Sequence, residues 1–351
     1  MKSITIGMDL GDKKHVVCLL DAEGKMIADT IVANDKESIN AFFRKYKGAT
    51  VAIEASTHSP WISRQLAVLG CNVLVGNPRK LRVIWDSNDK TDKRDAKMLA
   101  QIARFDSSLL YPVTHRGKQA QIDLEILQAR DSLVRNRTNL VNHVRGSVKA
   151  QGERLSSCST ESFYKKAAES MPAFLKETLL PIVEIIGQLT AQIKEYDRRI
   201  EIISKEKYPE TELLRAVKGV GPLTALAFVL ILEDPERFAK SRQVGSFIGL
   251  TPRRDQSGEV DKQLRITKAG NPFLRRLLVG AAQYILGPFG EDCDLRRFGL
   301  RLSARGGKNA KRRSVVAVAR KLAVLLHSLW RQGEVYKPLY IAQRKKLAKA
   351  A

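Results

Sequence analysis

The first third of the chain alternates apolar and polar positions in short runs. ITIGMDL places Ile4, Ile6 and Met8 on one face of a strand and Asp9 on the other. HVVCLLD and MIADTIVA follow, joined by the turn AEGK, and predict a three-strand meander. Residues 36–47 read as a helix and VAIEA as a fourth strand. SPWISRQLAVLG reads as a helix, with Pro60 near its start and Gly70 past its end. CNVLVGN is a fifth strand. KTDKRDAKMLAQIA carries Ala96, Leu99, Ala100 and Ala103 at helical spacing. The order β-β-β-α-β-α-β-α predicts a mixed sheet with helices on its faces.

Beyond residue 110 the period changes. Leu124, Leu127, Leu133, Val134, Leu140, Val141 and Val144 predict one long amphipathic helix. Ile182, Ile185, Ile186, Leu189, Ile193, Tyr196 and Ile200 predict a second, from about Pro181 to Ile203. A helix pair is the conservative reading and a coiled coil the bolder one. The Ser-rich SSCSTESFY between them reads as a loop. From 208 the pattern predicts a mostly helical domain. ELLRAVKGVGPLTALAFVLIL is helix, glycine turn, helix. RFAKSRQVGSFIGL is a helix, and TPRRDQSGEVDKQLRIT is irregular or hairpin-like. GNPFLRRLLVGAAQYIL has Asn271 as its cap and Pro272 first in the helix, and SVVAVARKLAVLLHSLW is the last helix. The fold class is therefore an α/β domain over 1–110, a helical coiled-coil and dimerisation segment over 111–207 and a helical domain over 208–335. A basic tail over 336–351 completes the chain.

Charge narrows the function. The 351 residues carry a net charge of +24. From Arg296 onward there are 16 Lys and Arg against one acid, Glu334. That balance calls for a polyanionic partner, nucleic acid above all. The four cysteines lie far apart without zinc-ligand spacing, and no signal peptide is visible, so a reducing cytoplasm is expected. No apolar run reaches membrane-spanning length, so no membrane partner is expected. The five histidines are isolated and read as structural.

Against this background the acids need an explanation. Asp9 and Glu54 end apolar runs, and Asp92 and Asp95 stand one helical turn apart at the mouth of a helix. Four carboxylates delivered by two strands and a helix suit two Mg²⁺ ions, with Mn²⁺ as the alternative, acting on a phosphate. The competing reading makes Asp92 an N-cap with Asp95 at N3, Glu54 an edge residue and Asp9 a turn former. KGVGP (Lys218, Gly219, Gly221) has the form of a helix-hairpin-helix turn that presents backbone N–H groups to phosphate; its plain alternative is an αα-hairpin. Ser257 sits among Arg253, Arg254, Lys262, Arg265 and Lys268. Ser-Gly is usually a turn, but a loop serine among cations can attack a phosphate if a metal or carboxylate activates it.

Taken in order, GMDLG, IEAS, NPRKLR, KTDKRDA, KGVGP and GLTPRRDQSGEVDKQLRITKAGNPFLRRLL resemble the transposases of the bacterial insertion-sequence "one-ten" family, also called bridge recombinases. The resemblance runs nearly the whole chain. It implies a RuvC-like domain of RNase H fold whose DEDD tetrad is Asp9, Glu54, Asp92 and Asp95. It further implies a coiled-coil segment and a transposase domain in which Ser257 forms a phosphoserine with DNA. A structured non-coding bridge RNA pairs with target and donor DNA in that family, and the sheet domain of one protomer is thought to meet the serine domain of another. A homo-oligomer is expected, dimer assembling to tetramer, cytoplasmic and nucleoid-associated when bound to DNA. One departure is Glu259, where the family commonly has a second glycine after the serine.

The resulting expectation is an RNA-guided DNA recombinase. Arg79, Lys80, Arg82, Lys90, Lys93 and Arg94 would grip nucleic acid beside the acids. Lys218, Gly219, Gly221, Arg253, Arg254, Lys262, Arg265, Lys268, Arg275 and Arg276 would hold it in the C-terminal domain. The rivals are a metal-dependent junction nuclease in which Ser257 is only a turn, and a non-catalytic nucleic-acid-binding protein whose acids are caps.

Overall fold

The predicted alternation produces a five-stranded mixed sheet. A computed structural model describes residues 4–81, 91–258 and 260–340, and divides into two units, Met1–Arg116 and Gly117–Ala351. In the first, β1 (Thr5–Leu10), β2 (Lys14–Leu20), β3 (Met26–Ala33), β4 (Thr50–Glu54) and β5 (Asn72–Gly76) lie in the order β3-β2-β1-β4-β5. The meander is antiparallel, and β4 and β5 add parallel to β1. Helices α1 (Lys36–Phe43), α2 (Ser59–Val68), α3 (Pro78–Leu81) and α4 (Asp92–Phe105) complete the unit. Asp35 starts α1 by accepting from Ser38 N at 2.7 Å.

β1 is the central strand and is buried on both faces, so its sequence is read twice. Ile6 and Met8 enter one core with Val17, Leu19, Ile39, Phe43, Ile62 and Leu66. Thr5, Gly7 and Asp9 face the opposite way, where α4 lies. Val16, Cys18 and Leu20 share that second face, packed on Ala96 and Ala100 of α4. Gly7 is what lets α4 approach. A Cβ there would collide with the backbone of Ala96 and Ala100. Gly7→Ala is therefore expected to destabilise the unit by about 3 kcal/mol, because the obstruction is backbone and cannot rotate aside. Thermal denaturation checks this; an unchanged midpoint would contradict the seating of α4.

The second unit starts with two long helices, α5 (Lys118–Ala150) and α7 (Ala173–Lys207), with the short α6 (Phe163–Ser170) between them. α5 and α7 run antiparallel: Asp123 meets Lys207 at 3.3 Å, Arg130 meets Asp197 at 2.8 Å, and Arg137 reaches Thr190 at 3.3 Å. Their outer ends form a satellite core with α6, built on Val144, Val148, Phe163, Val183 and Ile186. Their bases, through Ala120, Leu124, Leu127 and Ile200, join the main core of the unit.

That main core surrounds α9 (Pro222–Leu232), which is buried along its length from Thr224 to Leu232 and accordingly apolar on all sides. Around it stand α8 (Thr211–Arg215), α10 (Arg242–Phe247), α11 (Pro272–Leu286), α12 (Asp294–Ser303) and α13 (Ala310–Gln332). A two-stranded hairpin, β6 (Pro252–Ser257) and β7 (Val260–Ile266), projects between α10 and α11 in sequence. Asn271 caps α11, accepting from Phe273 N and Leu274 N at 2.9 and 3.1 Å. Among the described residues no helix is long and apolar enough to cross a membrane.

Candidate active site

Strand register puts the first two acids side by side. β1 and β4 are parallel neighbours in which Gly7 pairs with Ala52 and Met8 with Ile53. Asp9 and Glu54 each follow two residues after the Gly7–Ala52 pair, so both leave the carboxyl ends of their strands on the same face. Ala52 packs there with Leu99 of α4. The helix supplies the other two. Ala96, Leu99 and Ala100 are its buried face, and Asp92 and Asp95 continue that face one turn earlier. Direction is fixed at the far end, where the Arg104 guanidinium donates to the carbonyl of Ala22, just past β2. The C-terminus of α4 thus lies at the end of the sheet where β1 begins, and its N-terminus lies at the end where Asp9 and Glu54 emerge. Asp9, Glu54 and Asp95 are half-buried and Asp92 is exposed.

The cap reading of Asp92 and Asp95 does not hold. Thr91 is the N-cap, with its hydroxyl accepting from Arg94 N at 3.3 Å, while Asp92 is the first helical residue and Asp95 the fourth. Thr91 carries the capping role that sequence reasoning offered to Asp92. Both aspartates still lie in the first turn, where the helix dipole favours negative charge.

The loop after Glu54 is held by a polar scaffold. Ser56 N donates to Ser59 Oγ at 2.9 Å, and that buried hydroxyl meets His115 Nε2 at 2.8 Å. Burial pushes the His115 pKa below the ordinary imidazole value, and Arg64 and Arg116 push it the same way. On the other side, Asn34 Nδ2 donates to the Asp12 carbonyl at 2.7 Å and lies 3.4 Å from His58 Nδ1, while His15 Nε2 meets Asn34 Oδ1 at 3.1 Å. Isolated in sequence, His15 and His58 meet in the fold at the Asn34 side chain.

The donor set suits hard cations, since every candidate ligand is a carboxylate. Among the described residues no three His, Cys, Asp or Glu side chains lie close enough to hold one ion together. Mg²⁺ asks for less, because one or two carboxylates with water completing the octahedron suffice. Carboxylates on a strand end or a helix turn are the donor type that such a hydrated ion accepts.

Cations flank the same sheet end. Arg79 and Lys80 are exposed on α3, which follows β5 directly, and Lys80 Nζ stands 5.4 Å from the Tyr111 ring centre. Lys93 pairs with Asp29 at 3.1 Å, and Arg94 is exposed. Arg82 and Lys90 lie outside the described residues.

In the second unit Ser257 is exposed at the end of β6, paired with Val260 across the tip. Gly258 follows with φ +55°, the left-handed conformation that tight hairpin turns ask of glycine. Glu259 lies outside the described residues. Asp255 pairs with Lys262, so both share the Ser257 face. Arg254 is on the other face, 3.2 Å from Asp261, and Arg265 joins it there by strand alternation. The hairpin thus divides the predicted cations between two sides rather than gathering all five around the serine. Arg253 is exposed beside a register shift between Pro252 and Arg254.

Arg275 acts as a brace that sequence reasoning missed. Its guanidinium donates at 2.8 Å to the carbonyls of both Ile248 and Ala269, tying the base of the hairpin to the end of α10. Lys268, with φ +54°, donates its N–H to Gly249 O at 3.1 Å in the same junction. Arg276 pairs with Asp131 at 2.6 Å and stacks on Phe273. In the glycine turn, Lys218 lies 3.3 Å from Glu291, and Gly219 has φ +92° against Tyr284 and Ala281. Gly221 precedes Pro222, with no atom within 4 Å of where a Cβ would stand.

Two family profiles match this chain. A DEDD profile described as "Transposase" covers residues 6–150, and one described as "Transposase IS116/IS110/IS902 family" covers residues 211–289. The chain belongs to the IS110 family of transposases. It is 28% identical to the transposase for insertion sequence element IS1111A of Coxiella burnetii, over 96% of this chain and 92% of that one. It is 27% identical to a probable family 20 transposase of Pseudomonas aeruginosa, over 95% of this chain and 98% of that protein. A pilin gene-inverting protein of Moraxella lacunata is 25% identical over 70% of this chain and 68% of its own. This IS110-family protein is thus a DNA recombinase or transposase. Its DEDD match points to a RuvC-like fold for the five-stranded unit and to divalent-metal use in general.

Proposed function

We propose that this IS110-family transposase is guided by a structured RNA and exchanges DNA strands through a phosphoserine at Ser257, with Mg²⁺ held by Asp9, Glu54, Asp92 and Asp95. What supports the reading is strand register and helix spacing: Asp9 and Glu54 stand at the carboxyl ends of two parallel strands, and Asp92 and Asp95 lie in the first turn of α4, the helix packed on that face. A divalent ion bound there supplies Lewis-acid neutralisation of phosphate charge. Ser257 Oγ attacks the scissile phosphorus. The Oγ–P bond forms as the bond from phosphorus to the leaving nucleoside oxygen breaks, and the serine proton ends on that oxygen as a free hydroxyl. A hydroxyl from the exchanging strand then attacks the phosphoserine, and the serine recovers its proton. Each step trades one phosphoester for another, so no external energy source is required.

The long helices α5 and α7 serve in this account as the pairing element of a dimer that assembles to a tetramer. Arg79, Lys80, Lys93 and Arg94 hold nucleic acid beside the acids. Lys218 and the Gly219–Gly221 turn offer backbone N–H groups to phosphate in the manner of a helix-hairpin-helix element. Guide dependence is tested by purifying the protein with its bound nucleic acid. We expect a discrete non-coding RNA, and recombination that stops on ribonuclease treatment and returns when that RNA is restored. Recombination by RNA-free protein would contradict the guided reading while leaving the serine chemistry standing.

A further inference from the structure

Between Asp294 and Glu334 the chain contains no acidic residue. α12 ends and α13 begins inside this stretch, joined by residues 304–309, so Arg301, Arg305, Lys308, Lys311, Arg312 and Arg313 collect at one end of the helix pair. All six are exposed, and none makes an ion pair with a described residue. The acid just before α12, Asp292, is engaged elsewhere, by Arg297 at 2.5 Å. Six unneutralised like charges on one corner repel one another, and the fold gains nothing from them.

Three further features describe the partner. Asn309 makes no side-chain cap to α13; Ala310 N–H donates to Gly307 O at 3.0 Å, and the next two N–H groups, of Lys311 and Arg312, are left without a capping acceptor beside the cations. Gly306 and Gly307 take φ +76° and +93°, with no atom within 4 Å of where a Cβ would stand, which leaves an open approach to the backbone. No Phe, Tyr or Trp lies between Phe298 and Trp330, and His327 is buried. Surfaces that hold single strands combine cations with aromatic stacking platforms, and this one has none. Cations and backbone donors without stacking groups match the sugar–phosphate edge of a duplex, contacts that position without reading sequence.

We propose that the α12–α13 corner is a sequence-independent seat for the phosphate backbone of duplex DNA. The inference rests on the family's action on DNA and is independent of the serine and guide-RNA readings. The test measures affinity of the full-length protein for a short duplex across a salt series. Each lost phosphate contact should lower the magnitude of the log K against log salt slope by about 0.9. The Arg301→Gln/Arg305→Gln/Lys308→Gln and Lys311→Gln/Arg312→Gln/Arg313→Gln proteins should each lose about 2.7 from it, with Kd rising about tenfold to a hundredfold at low salt on any duplex sequence. Replacing the four arginines by lysine should preserve the slope. Melting midpoints should hold or rise, since the variants remove repulsion. Removing Lys149, Lys166 and Lys176, which are exposed on α5, α6 and α7 around the satellite core, should leave the slope unchanged. An unchanged slope in the α12–α13 variants, an equal fall in the satellite-core lysine control, or a loss confined to RNA would overturn the proposal.

Discussion

Asp9→Asn, Glu54→Gln and Asp95→Asn proteins are expected to lose DNA strand cleavage by about a thousandfold or more while remaining folded. Metal-assisted charge stabilisation is worth several kcal/mol in a transition state, and each 1.36 kcal/mol is about tenfold in rate. Neutralising one acid should leave the metal-free protein folded, with Asp95→Asn giving up no more than about 1 kcal/mol of interaction with the helix dipole. It should also shrink the stabilisation gained on adding Mg²⁺, because a ligand that binds only the folded state stabilises in proportion to its affinity. Thr91→Ala separates this role from helix capping. Losing the cap should cost about 1 kcal/mol and leave the chemistry in place, the reverse of the Asp variants. Full cleavage by Asp95→Asn would remove the metal reading of the tetrad.

Ser257→Ala should abolish cleavage while leaving DNA binding and folding intact. The side chain is exposed at a hairpin tip, so its removal disturbs no core. Removing the nucleophile of a covalent mechanism costs on the order of a millionfold in turnover, because no other group inherits its role. Gel shift and melting curves should match the parent protein. A Ser257→Ala protein that still cuts DNA would favour a metal nuclease in which this residue only shapes the turn.

The strands were legible because apolar alternation, short runs and flanking turns all agree over 4–76. The placement of Asp9 opposite Ile6 and Met8 followed from period two alone. What could not be read was contact. Gly7 looks like an ordinary strand glycine until α4 is seen lying on it. Thr91 as cap was hidden by the more conspicuous aspartates beside it. The second long helix begins at Ala173, eight residues before Pro181, which as a helix starter had suggested the later boundary. Leu179 and Val183, packed in the satellite core, carry the helix through the proline. α6 and α12 were missed for different reasons. FYKKAAES is short and follows a Ser-rich stretch, and DLRRFGLRLS spends its polar face on arginine, so its apolar stripe is thin. The division of cations across the β6–β7 hairpin depends on register, which composition does not carry.

Trapping a covalent bond between Ser257 and DNA distinguishes the serine mechanism from hydrolysis by a metal nuclease. A duplex carrying the element's junction and a nick or mismatch that blocks rejoining is incubated with the protein, its co-purified nucleic acid and Mg²⁺, then denatured. A protein–DNA adduct is expected that survives denaturation, maps by mass spectrometry to the peptide containing Ser257, and is absent from Ser257→Ala and Asp95→Asn proteins. Efficient cleavage without any adduct, or an adduct on a residue other than Ser257, would contradict the serine mechanism.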